Sequence, residues 1–280
     1  MGFEGSRRVA SHQATPTDPF DTDALASHSM NTVAPFYDKL APHYHLLYAD
    51  WEASIQRQGA ALAQLLEQGG IVAGAPVLDA ACGIGTQALE RTRREVGRGE
   101  LVALRSQAER LRQELDRRGL QARTQVDDLR TLHMVAPSSM AAVIACDNSL
   151  PHLLADDEIL QCLRSCHRVL RPGGLAIFSV RDYAAIPRVS PDVRPHAART
   201  VGDERFLAVQ VWDWDGDQYD LRLYLTRERP DGRCTTEVIR SRYYAITIER
   251  LLSLMAEAGF VDVRRLDGIL HQPVLAGRRP

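Results

Sequence analysis

Residues 77–86 read Val-Leu-Asp-Ala-Ala-Cys-Gly-Ile-Gly-Thr, and this stretch decides the fold. Val77, Leu78 and Asp79 read as the end of a buried strand. Gly83 and Gly85 read as a tight turn, and Thr86 to Arg94 as a helix. Glycine takes positive φ freely and has no Cβ to hold a ligand off. Backbone N–H groups at such a turn, and at the helix start behind it, are free to hold a polar ligand. Asp79 is expected to supply a carboxylate facing the same crevice, because ligands of open α/β sheets sit beyond the carboxyl ends of the strands. A Gly-x-Gly alone also serves ordinary turns. Here strand, acid, two glycines and helix stand in order, which points to a cofactor loop.

Working outward, strands and helices alternate from Ala75, the pattern of a parallel sheet. Strand one is Pro76 to Asp79. Strand two is Glu100 to Arg105, followed by a helix to Arg118 that stops at Gly119. Strand three is Ala122 to Val126. Strand four, Ala141 to Cys146, is nearly all apolar, as a strand buried on both faces should be. A helix over Glu158 to Leu170 leads to an Arg171-Pro172-Gly173-Gly174 turn and strand five, Leu175 to Val180. Residues 182–205 are rich in Pro and Arg and read as a loop with little fixed structure. Three alternating segments follow, Phe206–Trp214, Tyr219–Glu228 and Thr235–Tyr244, with glycine-containing turns between them. They read as an antiparallel meander, making 182–245 an insertion of loop and meander. A helix from Thr247 to Ala258 and two strands close the domain.

The N-terminal side divides at about residue 30. Residues 1–30 are rich in Ser, Thr, Asp, Pro and His, with little apolar periodicity, and read as a disordered tail. Met30 is a candidate natural start. From Thr32 a dense aromatic and apolar run begins, including Phe36, Tyr37, Leu40, Tyr44, Tyr48 and Trp51. It fits either a helix packed on the sheet or a lid over a ligand. Ala53 to Glu67 reads as an amphipathic helix stopped by Gly69 and Gly70.

Composition narrows the function. Of 280 residues, 45% are hydrophobic, ample for one large domain. A net charge of −2 argues against a nucleic-acid or membrane surface. Cys162 and Cys166 lie one helical turn apart beside His167, but on an amphipathic helix they read as core rather than metal ligands. No metal site and no disulfide framework are expected. No run of about 18 apolar residues exists, and no apolar signal core is seen, so a cytoplasmic location is expected.

The Gly loop and the order of elements resemble the class I S-adenosylmethionine-dependent methyltransferases, from about Thr32 to Arg279. Asp127-Asp128-Leu129 follows strand three, where the family places an acid near the adenine. Asp147-Asn148-Ser149-Leu150-Pro151-His152 follows strand four, where the family approaches the methionine part of the cofactor. The run from Tyr37-Asp38 to Trp51 is similar to the N-terminal lid of a small-molecule branch that includes glycine N-methyltransferases. The resemblance implies a Rossmann-like, seven-stranded, mostly parallel sheet with helices on both faces. To this it adds an inserted antiparallel β meander and an N-terminal helical lid, the methyltransferase-like domain spanning 31–280. It implies S-adenosyl-L-methionine as cofactor. Its binding residues would be Tyr37, Tyr44, Trp51, Asp79, Ala81, Gly83, Gly85, Asp127, Asp128, Leu129, Asp147, Asn148 and Ser149. The bland alternatives are a surface turn for Asp128 and helix capping for Asp147 and Asn148.

One departure stands out. The family usually ends strand two with an acid that accepts hydrogen bonds from the ribose hydroxyls. Here the region reads Leu101-Val102-Ala103-Leu104-Arg105. Losing a charged acceptor costs about 1.5–3 kcal/mol of binding, roughly ten- to a hundredfold. Leu104 is the expected position of the missing acid.

Methyl transfer requires the acceptor's lone pair in line with the breaking bond, and a base when the acceptor is a hydroxyl or an ammonium. His152, just past strand four, is the candidate base, with His271 a weaker one. Arg181 and Tyr183 follow strand five at the same edge, and Arg181 suits a substrate carboxylate. Trp212 and Trp214 read as packing, while Tyr243 and Tyr244 are candidates for the mouth. The expected function is methyl transfer to N or O of a small molecule, in specialised metabolism. No nucleic-acid or membrane partner is expected, and a homo-oligomer through the meander is allowed. Two alternatives stay open at this point: a methyltransferase fold that catalyses a non-methylating cyclisation or rearrangement, and a cofactor-binding pseudoenzyme. An NAD-linked reading is poorer, because the loop lacks the third Gly of the dinucleotide pattern.

Overall fold

The structure is a computed structural model that describes residues 33–94, 99–103 and 105–280. The expectations for residues 1–30 and for Leu104 lie outside the described residues.

Strands β1 (Val77–Asp79), β2 (Gly99–Ala103), β3 (Arg123–Val126), β4 (Met140–Ala145) and β5 (Leu170–Ser179) run parallel. With β10 (Val261–Leu266) and β11 (Val274–Arg278) they form a seven-stranded sheet in the order β3-β2-β1-β4-β5-β11-β10. Only β11 is reversed, pairing antiparallel with both neighbours. The strand order turns around between β1 and β4, and such a switch point leaves a crevice at the carboxyl ends of those strands.

Alternate residues of the buried strands feed two cores, as a period of two demands. Leu78, Val143 and Phe178 face α5 (Asp156–Val169) and α6 (Ile248–Glu257). Val77, Ile144 and Ile177 face α2 (Trp51–Gln68). Cys162 and Cys166 are fully buried in the first of these cores. The carboxylate of Asp50 caps α2 by accepting from the Ala53 N–H at 2.9 Å. Helix α3 (Ala88–Arg93) starts two residues later than expected, and α4 (Arg105–Arg117) follows β2.

The segment after β5 differs from its reading as a loop. Asp192–Val201 forms β6, which with β7 (Glu204–Asp215), β8 (Gln218–Glu228) and β9 (Cys234–Tyr244) makes a separate four-stranded antiparallel sheet. Pro195 hides β6 from a periodicity reading. Proline is confined to edge strands, and β6 is one, with its register shifting between Pro195 and Ala197. The N-terminal helix α1 (Val33–Leu40) packs on this second sheet by burying Phe36 and Leu40 with Phe206, Trp212 and Tyr219.

Candidate active site

A cavity of about 780 Å³ opens at the switch point, within the range of ordinary small-molecule sites. It is lined by the Gly loop (Ala81, Gly83), the β3 exit (Asp127, Asp128, Leu129), the β4 exit (Asp147, Ser149, His152) and the N-terminal segment (Tyr37, Tyr44). These predicted residues therefore come together.

The two loop glycines serve different ends. Gly83 has φ +55°, and a Cβ there would meet only the Gln107 side-chain nitrogen, at 3.6 Å, so the backbone is open to the cavity. Gly85 has φ +100°, and its Cβ would strike Leu111 at 2.6 Å. It lets the loop pack on α4 and does not reach the cavity. Asp79 is also corrected. It is 2% exposed and lies under the loop, accepting from the Ala81 N–H, with Arg91 as its opposite charge. Burial pushes its carboxyl up to about 6, against the pull of Arg91 and the Ala81 amide.

At the β4 exit, Asp147 and Asn148 both adopt left-handed conformations, φ +59° and +65°. Asn and Asp are the non-glycine residues that tolerate this best. The turn is held from β5, with the Asp147 N–H donating to Ser179 Oγ (2.8 Å) and the Asn148 N–H to the Ser179 carbonyl (3.0 Å). Asn148, expected to bind cofactor, points away from the cavity. Its amide donates to Tyr183 Oη (2.8 Å) and accepts from the Arg181 N–H (3.0 Å). Arg181 and Tyr183 are likewise behind the cavity wall. Arg181 donates to Tyr219 Oη (3.2 Å) and lies 5.1 Å from the Trp212 ring centre, and Tyr183 is 1% exposed.

Asp147 is the polar focus of the wall. Tyr44 and Tyr48 each donate to its Oδ2 at 3.4 Å. Trp51 does not line the cavity, but its indole N–H donates to Thr86 Oγ1 (3.0 Å), which donates to Tyr48 Oη (3.3 Å). This relay runs from the start of α2 through the Gly loop to Asp147. At the other end, Asp127 is engaged by the N–H groups of Asp128 and Met134, and Asp128 pairs with Arg130 at 2.7 Å. That pairing holds Asp128 below the usual carboxylate range.

His152 Nε2 is 2.9 Å from Tyr37 Oη, Nδ1 is 3.5 Å from Ser241 Oγ, and Tyr243 packs on the ring at 4.2 Å. Desolvation, helped by the nearby Arg181 charge, pushes its pKa down to about 3. The ring is neutral and shares a hydrogen bond with the Tyr37 hydroxyl. Tyr243 is buried against it, and neither Tyr243 nor Tyr244 lines the mouth. His271 is exposed and outside the cavity.

Tyr48, Thr86 and Gln107 also line the cavity and are among the lining residues not expected from the sequence. Tyr48 stood in the quoted aromatic run, and Thr86 directly follows the Gly loop. Gln107 is 6% exposed and belongs to an otherwise ordinary amphipathic helix. Among the described residues no helix is long and apolar enough to cross a membrane. None of the described His, Cys, Asp and Glu residues form a group that could hold a metal.

These residues fit an elongated cofactor with a cationic end. An open glycine backbone, a buried carboxamide facing the cavity, and a carboxylate ringed by phenols lie along one crevice. A family model described as a methyltransferase domain matches residues 77–174. The malonyl-[acyl-carrier protein] O-methyltransferase of Pseudescherichia vulneris is 32% identical over 194 residues, 66% of this chain and 68% of that protein. Streptomyces venezuelae DesVI has a TM-score of 0.71 at 17% identity, covering 88% of this chain and 98% of that one. S-adenosylmethionine-bound CalS10, an amino pentose methyltransferase of Micromonospora echinaspora, has a TM-score of 0.70 at 17% identity, covering 81% and 92%. The chain belongs to the class I S-adenosylmethionine-dependent methyltransferases. It is an enzyme of that type, and S-adenosylmethionine is its cofactor.

Proposed function

We propose that this enzyme transfers methyl to nitrogen or oxygen of a small molecule of specialised metabolism. The observation that carries the reading is the roof of the cavity. Val33, Ala34 and Tyr37 of α1 close over it, and α1 is itself buried on the second sheet. The space left beside Asp147 and His152 suits a compact acceptor better than a polymer.

The cofactor supplies a methyl group on a sulfonium, an electrophile that needs no covalent help from the protein. Ala81 and Gly83 would lie against it, Asp127, Asp128 and Leu129 at the adenine end, and Asp147 and Ser149 at the methionine end. The faces of Tyr37 and Tyr44 and the Asp147 carboxylate favour cationic charge there. Closure of this aromatic lid excludes water and holds the acceptor in line. His152 has its Nε2 occupied by Tyr37 and its basicity suppressed. Its role is to orient the Tyr37 hydroxyl, and an acceptor proton goes to Asp147 or to water. Asn148, Arg181 and Tyr183 hold the wall, and the Arg181 charge favours an acceptor with an anionic group.

The test is incubation with S-adenosylmethionine and a panel of amino sugars, amines and phenols, with a malonyl thioester as a further arm. The 32% identical relative, named for malonyl-[acyl-carrier protein], is the reason for that arm and for a second reading, O-methylation of a carboxylate. Demethylated cofactor must appear in step with a product 14 mass units heavier. Conversion of an acceptor without mass gain and with intact cofactor would refute methyl transfer.

A further inference from the structure

The carboxyl ends of neighbouring strands form a row. β3 delivers Asp128, β2 leads into α4, β1 leads into the Gly loop, and β4 delivers Asp147. The cofactor is built in the same linear sequence, adenine, ribose, then the sulfonium and its amino acid. A ribose bridging the Asp128 end and the Asp147 end must cross the mouth of β2 and the first turn of α4. No acidic residue occurs from Leu101 to Arg105 to receive its hydroxyls.

Gln107 stands at that place. It is in the first turn of α4 and lines the cavity, with its Nε2 3.6 Å from where a Gly83 Cβ would be. It is 6% exposed, and its carboxamide has no hydrogen-bond partner among the described residues. Its polar atoms open onto the cavity rather than into the core, so a ligand that displaces water there must itself supply their hydrogen-bond partners. A carboxamide offers one acceptor and two donors, so Oε1 can receive a hydroxyl while Nε2 donates to a ribose oxygen.

We propose that the Gln107 side chain binds the ribose hydroxyls of the cofactor, doing with a neutral amide what an acid at the end of β2 does elsewhere in the family. The proposal rests on the cavity being the cofactor site. Gln107 is then a specificity residue for the ribose, and it holds the cofactor without bringing a negative charge into the crevice.

The experiment is calorimetric titration of S-adenosylhomocysteine and its 2′-deoxy and 3′-deoxy analogues into the wild type, Gln107→Ala and Gln107→Met. Met keeps the length and shape of Gln without its hydrogen-bonding atoms, so a folding defect in the Ala variant leaves the test intact. The wild type should prefer the parent compound over at least one deoxy analogue by about five- to tenfold, the worth of one or two neutral hydrogen bonds. Gln107→Met should weaken binding of the parent by the same factor and leave that analogue's affinity unchanged. Gln107→Glu, which restores an acceptor, should bind the parent at least as well as the wild type. If Gln107→Met weakens parent and analogues equally, the side chain merely supports the Gly loop and the proposal fails. It fails too if Gln107→Glu loses as much as Gln107→Met. If the wild type binds none of the three compounds, the placement of the cofactor site itself is wrong.

Discussion

The hydroxyl of Tyr37 lies 2.9 Å from Nε2 of His152. This contact joins the first described helix to the exit of β4, across 115 positions of sequence. His152 also packs, tilted by 38°, against Tyr243, which stacks on Tyr219, which in turn stacks on Trp212. A single aromatic column thus runs from the core of the second sheet to the cavity wall. The same column desolvates the imidazole and holds it neutral.

His152 should therefore act through Tyr37 rather than as a base. Tyr37→Phe and His152→Ala should lower kcat by similar factors, about tenfold each, with the double variant no worse than the lower single. The wild-type rate should show no titration near pH 6.5. A kinetic pKa between 6 and 7 that disappears in His152→Ala would contradict this.

Stability carries a second signature of the same residue. A histidine with a folded pKa of about 3, against about 6.5 when unfolded, binds protons mainly in the unfolded state. Stability is then complete above pH 6.5 and falls as the pH drops toward 3. Asp79, raised to about 6, works in the opposite sense between pH 4 and 6, but it is present in both proteins and cancels in a comparison. Between pH 6.5 and 5 the wild type should lose up to about 2 kcal/mol more than His152→Gln, a few degrees in Tm. Parallel Tm curves for the two proteins would show that the ring is solvated.

The loop glycines should separate binding from folding. Gly83→Val places a branched side chain at φ +55° on the cavity surface, so cofactor binding should fall below detection while the fold persists. Gly85→Val drives its side chain toward Leu111 and Leu89 and should lower stability by about 3 kcal/mol or more. Calorimetry and urea unfolding of both variants check the contrast.

Beneath the loop, Asp79 faces the fully buried Arg91. Asp79→Ala removes a carboxylate that opposes this buried guanidinium and should cost up to about 3 kcal/mol in urea unfolding. A loss below about 1 kcal/mol would mean that Asp79 contributes little to holding Arg91 in the core.

The phenols around Asp147 should read the charge of the ligand. Tyr44→Ala should weaken S-adenosylmethionine more than neutral-sulfur S-adenosylhomocysteine, by about three- to tenfold in the ratio of Kd values. An unchanged ratio would place the sulfonium away from Tyr44.

Local chemistry settled much of this protein in advance. The period of two in the buried strands and the glycines at 83 and 85 are properties of short stretches, because they follow from backbone sterics and side-chain alternation. The β4 exit run, Asp147 to His152, was legible for the same reason, since polar residues that break an apolar strand must lie at its end. Residues 182–205 were not legible, because Pro195 interrupts the alternation and β6 exists only by pairing with β7. Nor could sequence separate the residues that touch the cavity from those that support it. Asp79, Asn148, Arg181 and Tyr183 all sit at strand ends, yet the packing of the second sheet and the Gly loop turns each of them away. Gln107 is the converse case. A helical glutamine carries no signal of its own, and only the tertiary structure aims it at the place where a strand end lacks its acid.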